Sequence, residues 1–247
     1  MRRAEFILPL ALALATAAVA GTEPSTRAEE AIPFSSLTAT NRLLVKSVTD
    51  HYTLRRPYAA QTLTGQVTTL TWMLDNLQPT WQLAQRFGIK ARATHQDTQG
   101  RFWNDATDGS TGYLMNVYRG AGKRIYYMEG SQKKICTVHG RGIIVVDFQA
   151  AGTNAVALSG AQFVKVDNGL LAAMTQLFGP FLCGIVDRTY QEFIEPLRVL
   201  SEVAATKPAQ LRQTIRQMPV EAAGSFDGLT AILEPAAKEQ PTTGPPR

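Results

Sequence analysis

Cysteine and histidine are scarce in this chain of 247 residues, which holds two cysteines and three histidines. So few cysteines exclude a disulfide-rich scaffold and a structural zinc site built from thiolates. Charged residues make up only 18% of the sequence and hydrophobic residues 45%, which excludes a chain that is disordered throughout. The net charge of +5 is small and unclustered, so composition gives no support for nucleic-acid binding.

Motifs of known catalytic and metal centres are also missing. The sequence has no His-Glu-x-x-His, Gly-x-Ser-x-Gly, Cys-x-x-Cys or Walker loop. The run Arg119–Arg124 has the glycines but not the spacing of a phosphate loop, and it predicts a hairpin turn. In Asn104–Gly109 an alanine stands where calcium needs an oxygen ligand, so an Asp-Gly turn is predicted. We therefore predict neither a metal site nor a cofactor.

The N-terminus has the pattern of a secretory signal peptide. Arg2 and Arg3 form a basic region, an apolar stretch runs from Phe6 to Val19, and Ala18-Val19-Ala20 is a small-x-small cleavage signal. A membrane anchor is the alternative, but the stretch falls short of the roughly 20 residues that span a bilayer. We predict cleavage near Ala20-Gly21 and export to the periplasm or the extracellular space.

Composition divides the remaining chain into three parts. Residues 21–36 are rich in Ser, Thr, Glu and Ala and predict a flexible leader. Residues 219–247 are rich in proline and predict a disordered tail, in which the apolar piece Leu229–Leu233 is expected to dock back. Residues 37–218 contain no linker and no repeat, so we predict a single domain there.

Periodicity within this domain predicts an α+β fold. Residues 43–55 favour a strand ended by Arg56-Pro57, with a helix as the alternative. Short helices are predicted over 67–74 and from Pro79 to Phe87, with Gly88 as the C-terminal cap. Alternating segments joined by tight turns then predict an antiparallel meander. These segments are 89–95, 111–119, 124–129, 142–149 and 155–166.

The C-terminal part of the domain is predicted to be helical. Gly169 to Val186 carries no charge, and an amphipathic helix follows it through Ala204. Gly179-Pro180 and Pro196 are expected to break or kink this segment. Thr206 is expected to cap a last helix that has Pro208 in its first turn.

This order of elements resembles the START-like or SRPBCC superfamily, which includes polyketide cyclases and coenzyme Q-binding proteins. The resemblance covers roughly residues 43–206 and rests on element order, because the family has no short diagnostic motif. It implies a helix-grip fold, in which an antiparallel sheet of about 6–7 strands curves around a long C-terminal helix. This helix is either straight or kinked. It also implies an apolar ligand between sheet and helix.

Candidate ligand-lining residues are aromatic and apolar positions on the strands and one row of the uncharged helix. Ordinary core packing is the alternative for each. Asp147 interrupts an apolar run, so it either points outward by alternation or pairs inward with Arg141 or Arg119. The candidates are Trp103, Tyr113, Met115, Tyr127, Asp147, Leu171, Met174 and Phe178.

These observations favour an exported, non-enzymatic protein that binds a lipid or other apolar small molecule between sheet and helix. A cyclase- or aromatase-like enzyme on the same fold and an envelope interaction module without ligand are the alternatives. A further expectation is that the uncharged residues 169–186 insert into a membrane surface. Because export exposes the chain to an oxidising compartment, Cys136 and Cys183 can form a disulfide. The alternative is that both are small, buried, unpaired side chains.

Overall fold

The computed structural model describes residues 31–89, 93–105, 110–133, 137–167, 175–219 and 224–234. A 3-10 turn at Phe34–Ser36 precedes the first helix, and another at Gly224–Phe226 precedes the last. The helices are α1 (Ala39–Thr49), α2 (Val67–Asp75), α3 (Leu77–Arg86), α4 (Thr175–Thr206), α5 (Pro208–Arg216) and α6 (Asp227–Leu233). The strands are β1 (Leu54–Thr64), β2 (Ala93–Gln96), β3 (Phe102–Asp105), β4 (Ser110–Gly120), β5 (Lys123–Lys133), β6 (Thr137–Gly152) and β7 (Ala155–Val166).

The seven strands form one sheet in the order β1-β7-β6-β5-β4-β3-β2. Each neighbouring pair is antiparallel, so β2 to β7 form a meander and β1 joins it beside β7. The β4–β5 hairpin turns at Ala121-Gly122, where Gly122 has a φ of 68° that favours glycine. The long C-terminal helix α4 contacts β1 and β7. The predicted α+β class and helix-grip arrangement are therefore confirmed.

Alternation along the strands gives the sheet two apolar faces with different partners. The inner face packs with α4 and with the other helices that follow β1, and the outer face packs with α1 and residues 31–37. Inner-face residues include Phe102, Leu114, Tyr126, Met128, Ile144, Val146, Phe148 and Leu158. Outer-face residues include Tyr113, Met115, Ile125, Tyr127, Ile143, Val145 and Phe163.

The predicted strand over residues 43–55 is wrong, and its helical alternative is correct for most of the segment. Residues 39–49 form α1, which Thr38 caps by accepting a hydrogen bond from the backbone N–H of Asn41 at 3.2 Å. Val45 and Val48 lie three residues apart and both are buried against the outer face. Pro57 does not end a strand, because β1 lies at the edge of the sheet, where a missing N–H is tolerated.

The expected break in the C-terminal helix is also wrong. Helix α4 runs for 32 residues through Pro180 and Pro196. Pro196 is buried, as are Leu197 and Leu200, so the apolar packing of this face compensates for the hydrogen bond that a proline removes. Thr206 is not a helix cap: it ends α4, and its hydroxyl donates to the carbonyl of Glu202 at 2.7 Å.

Other predicted segments differ in extent. Strand β2 begins at Ala93 rather than at 89, with residues 90–92 outside the described part, and β3 was not predicted. Asn104 belongs to β3, whereas 106–109 lie outside the described residues. Leu229 and Leu233 are buried in α6, as expected of the docking piece, and residues 235–247 are not described. Among the described helices, none combines the length and apolarity needed to cross a bilayer.

Candidate ligand site between the sheet and helix α4

The aromatic residues expected to line a ligand site lie on the outer face of the sheet. Trp103 pairs with Tyr113 across β3 and β4, and Met115 pairs with Tyr127 across β4 and β5. Tyr113, Met115 and Tyr127 pack with the cluster that contains α1, and Trp103 contacts the Tyr113 ring at 5.2 Å. The structure brings these four side chains together, but it places them away from α4.

Carboxylates hold this outer-face group in place. The hydroxyls of Tyr113 and Tyr127 both donate to Oε2 of Glu129 at 2.9 Å, and Trp103 donates from Nε1 to Asp97 at 3.0 Å. Burial, and next the bond to Glu129, raises the pKa of Tyr113 to about 12. The hydrogen bond from Trp103 is the main reason why the pKa of Asp97 lies well below its usual range. These contacts stabilise the sheet surface.

Asp147 points outward, as simple alternation predicts. It forms an ion pair with Lys123 at 2.8 Å. Neither expected partner reaches it, because Arg141 pairs with Asp167 and Arg119 pairs with Asp75. These residues therefore do not bring an acid and a base together on the inner face of the sheet.

Part of the predicted site falls outside what the structure describes. Leu171 and Met174 lie outside the described residues, and Phe178 lies in α4 with its side chain undescribed. Cys183 is half-buried on α4 and forms no disulfide within the described part of the chain. Cys136 lies outside that part, so the disulfide stays a prediction.

A different polar cluster occupies the inner face, formed by Tyr58 of β1, Gln162 of β7 and Tyr190 of α4. The rings of Tyr58 and Tyr190 are stacked, with centroids 3.5 Å apart and planes inclined by 5°. The Tyr58 hydroxyl lies 3.3 Å from Oε1 of Gln162 and 3.4 Å from the carbonyl of Val186. Gln162 is 1% exposed and directs Nε2 at the sulfur of Met128, 3.8 Å away. A buried amide and two phenols therefore lie together in a mainly apolar layer.

The Tyr190 hydroxyl is the unusual member of this cluster. Tyr190 is 1% exposed, and its hydroxyl makes no hydrogen bond within the described part of the chain. It lies over Gly160, where an added Cβ would be 3.1 Å from the hydroxyl and 2.3 Å from the carbonyl oxygen of Val145. Buried hydroxyls are normally paired, because an unpaired one costs about 1–3 kcal/mol. No residue in the described part of the chain therefore offsets the cost of burying this hydroxyl.

Burial fixes the protonation of both phenols. It is the main cause that raises the pKa of Tyr190 to about 12, with the charge of Asp147 as a second cause. Burial, followed by the charge of Asp187, also raises the pKa of Tyr58 well above its ordinary value. At neutral pH both hydroxyls are therefore protonated donors, which suits them to hydrogen bonding rather than to proton abstraction.

Two ion pairs flank the inner face. Arg56 of β1 binds Asp187 of α4 through two contacts of 2.8 Å at the exposed rim. Arg124 of β5 binds Asp75 of α2 through two contacts of 2.8 Å, and its side chain is only 7% exposed. Both arginines therefore have a carboxylate partner.

Aromatic packing fills the inner face near α3. The ring centroid of Phe193 of α4 lies 5.6 Å from that of Trp81 and 5.3 Å from that of Tyr126. The centroids of Trp81 and Phe102 are 5.8 Å apart. Leu114 and Met128 are inner-face residues that stay half-buried. The inner face is consequently closed near Phe193 and less covered near Met128.

A surface groove of about 400 Å³ opens elsewhere, at the C-terminal ends of α3 and α5. Gln82, Gln85, Arg86, Met218 and Pro219 line it, and none of them belongs to the polar cluster. Because the groove lies on the surface and brings together no buried polar group, the inner-face cluster is the better candidate.

The chain has a helix-grip arrangement, seen in its strand order and its long C-terminal helix. No family model and no curated protein matches the sequence. A conserved protein from Geobacillus kaustophilus is similar over 61% of this chain and 97% of its own, with 12% identity and a TM-score of 0.47. A START superfamily protein from Mycobacterium smegmatis is similar over 60% and 98%, with 11% identity and a TM-score of 0.38. The Zhui aromatase/cyclase from Streptomyces sp. R1128 is similar over 62% and 98%, with 12% identity and a TM-score of 0.35.

Sequence reasoning missed all three members of the polar cluster. Tyr58 follows Pro57, which predicts the end of a strand, and Tyr190 falls in the predicted amphipathic helix, where an aromatic residue indicates ordinary core packing. Gln162 carried the one available signal, since it is an uncharged polar residue that alternation places on the same face as Leu158.

Proposed function

We propose that this protein binds an apolar small molecule or lipid between the inner face and α4, and that the Tyr58–Gln162–Tyr190 cluster holds its polar end. The observation that carries the proposal is the buried hydroxyl of Tyr190, which has no hydrogen-bond partner among the described residues and lies in a mainly apolar layer. A bound oxygen that accepts from this hydroxyl removes the cost of burying it alone. The half-buried Leu114 and Met128 offer apolar contacts on the same face.

Binding without catalysis fits the chemistry of this cluster. Its phenols keep their protons at neutral pH, and its third member is an amide, so none supplies a general base. Asp147 and Arg141, which the sequence suggests as a charged pair, lie on strand positions of the outer face, and so does the ionisable His139. They cannot reach a molecule held against α4.

Export remains part of the proposal and has its own test. If the predicted signal peptide is cleaved near Ala20-Gly21, mass spectrometry of the exported protein should show a chain that begins at Gly21. A mature protein that retains residues 1–20 would contradict this part while leaving the ligand site unaffected.

Binding is tested on the purified, folded protein. Solvent extraction followed by mass spectrometry should release an apolar molecule in near-stoichiometric amount. Tyr190→Phe and Gln162→Leu should lower that amount, because each removes a polar partner from the inner face and keeps its bulk. Tyr113→Phe is the matched control, since it removes a hydroxyl from the outer face. Protein that contains no extractable ligand and takes up no apolar fluorescent probe would overturn the proposal.

A further inference from the structure

We infer that the molecule held by the Tyr58–Gln162–Tyr190 cluster presents an uncharged acceptor oxygen, as in an ester or ketone, rather than a carboxylate or a phosphate. This inference rests on the proposed function and names the chemical class of its ligand. It follows from the balance of donors, acceptors and charges around the cluster.

The described residues leave two hydrogen-bond donors of this cluster without a strong acceptor. The Tyr190 hydroxyl has no partner among the described residues. Within the same part of the chain, the Gln162 amide donates to the Met128 sulfur at 3.8 Å, and a thioether is a weak acceptor. The carbonyl oxygen of Gln162 is already approached by the Tyr58 hydroxyl. A ligand oxygen that accepts from Tyr190 or from the Gln162 amide therefore completes the cluster.

The charges near the cluster disfavour an anion. Arg56 is held by both carboxylate oxygens of Asp187, and Arg124 is held by both oxygens of Asp75. Asp187 directly follows Val186, whose carbonyl lies 3.4 Å from the Tyr58 hydroxyl. An anionic group there would be buried near the Asp187 carboxylate, and Arg56 and Arg124 are already paired, so its burial would be costly.

Neutral hydroxyl and amide donors are sufficient to bind an uncharged acceptor oxygen. A phenol that keeps its proton offers a single directed O–H bond, and a carbonyl oxygen accepts it without a counter-ion. A carboxylate would instead need charge-assisted partners to replace its lost hydration. The described part of the inner face thus matches a neutral polar end on an apolar body.

A matched pair of fluorescent probes tests this inference on the full purified chain. Parinaric acid and its methyl ester share one polyene tail, and their polar ends are an ionisable carboxyl group and a neutral ester. At pH 8, where a carboxyl with a pKa of about 4 is ionised, the ester should bind about tenfold more tightly. Lowering the pH towards 4 should bring the affinity of the acid up to that of the ester.

Variants separate the polar contact from general apolar binding. Tyr190→Phe should weaken ester binding about fivefold to tenfold and leave acid binding at pH 8 unchanged, and Gln162→Leu provides a second, independent variant. Tyr113→Phe on the outer face should change neither. Ionised acid that binds as tightly as the ester would overturn the inference while the proposed function stands. Failure of both probes to bind would overturn both.

Discussion

The ring of Tyr58 lies flat against the ring of Tyr190, with 3.5 Å between their centroids. This contact joins the edge strand β1 to the long helix α4, and the Arg56–Asp187 ion pair lies beside it. An aromatic pair and an exposed salt bridge therefore contribute to closing the sheet over the helix on this side.

Truncation of Tyr58 should separate the two roles of its side chain. Tyr58→Ala removes the stacked ring and should lower the free energy of unfolding by about 2–4 kcal/mol. Tyr58→Phe keeps the ring and removes the hydroxyl with its long contacts to Gln162 and to the Val186 carbonyl, so it should cost about 1 kcal/mol. Urea denaturation of both variants measures the difference. Equal losses would show that the stack contributes nothing beyond the hydroxyl.

The two ion pairs near the inner face should differ strongly in their contribution to stability. Asp75→Asn leaves the buried guanidinium of Arg124 without a counter-ion and should cost about 3–5 kcal/mol. Asp187→Asn breaks a pair whose side chains are 45% and 37% exposed, and should cost no more than about 1 kcal/mol. Denaturation at low and high salt checks this, since salt should matter only for the exposed pair. A larger loss for Asp187→Asn would contradict the burial argument.

Tyr190 should contribute a stability that disappears in alkali. Its pKa is raised from 10.0 to about 12 in the folded protein, so the unfolded chain loses this proton first as the pH rises. The contribution is complete below pH 10 and falls as the pH rises through 12. Tyr190→Phe should therefore show a shallower loss of stability between pH 10 and 12 than the parent protein. Identical pH profiles would contradict the burial of this hydroxyl.

The outer-face tyrosines allow an independent check of the same kind. Glu129→Gln removes the charge that accepts hydrogen bonds from Tyr113 and Tyr127. The pKa of Tyr113, raised to about 12 first by burial and then by Glu129, should fall but stay above its ordinary value. Absorbance titration of the phenols measures this change. Ligand binding should be unaffected, because these groups lie on the face opposite α4.

The order of elements and the turn residues make the fold predictable from the sequence. Predicting the site also requires knowing on which face of the sheet each strand residue lies. The β4–β5 and β6–β7 hairpins follow from alternation and from turns rich in glycine, so their strands were located correctly. Alternation relates Tyr113 to Tyr127 but does not say which face meets α4, because both faces of this sheet are apolar. Helix α1 covers the second face, and the periodicity of its sequence predicts a strand. The aromatic residues therefore lie on the face opposite α4, and their role in ligand binding stays a prediction.

Adjacent residues of β4 provide a direct test of which face receives the ligand. Leu114 lies on the inner face and Met115 on the outer face, and both are half-buried. Leu114→Trp should fill the less covered part of the inner face and reduce binding of the methyl ester probe about tenfold or more. Met115→Trp adds similar bulk on the opposite face and should leave binding unchanged. Probe titrations on both variants, with circular dichroism to confirm folding, decide between the faces. If Met115→Trp alone weakens binding, the ligand lies on the outer face and the inner-face assignment fails.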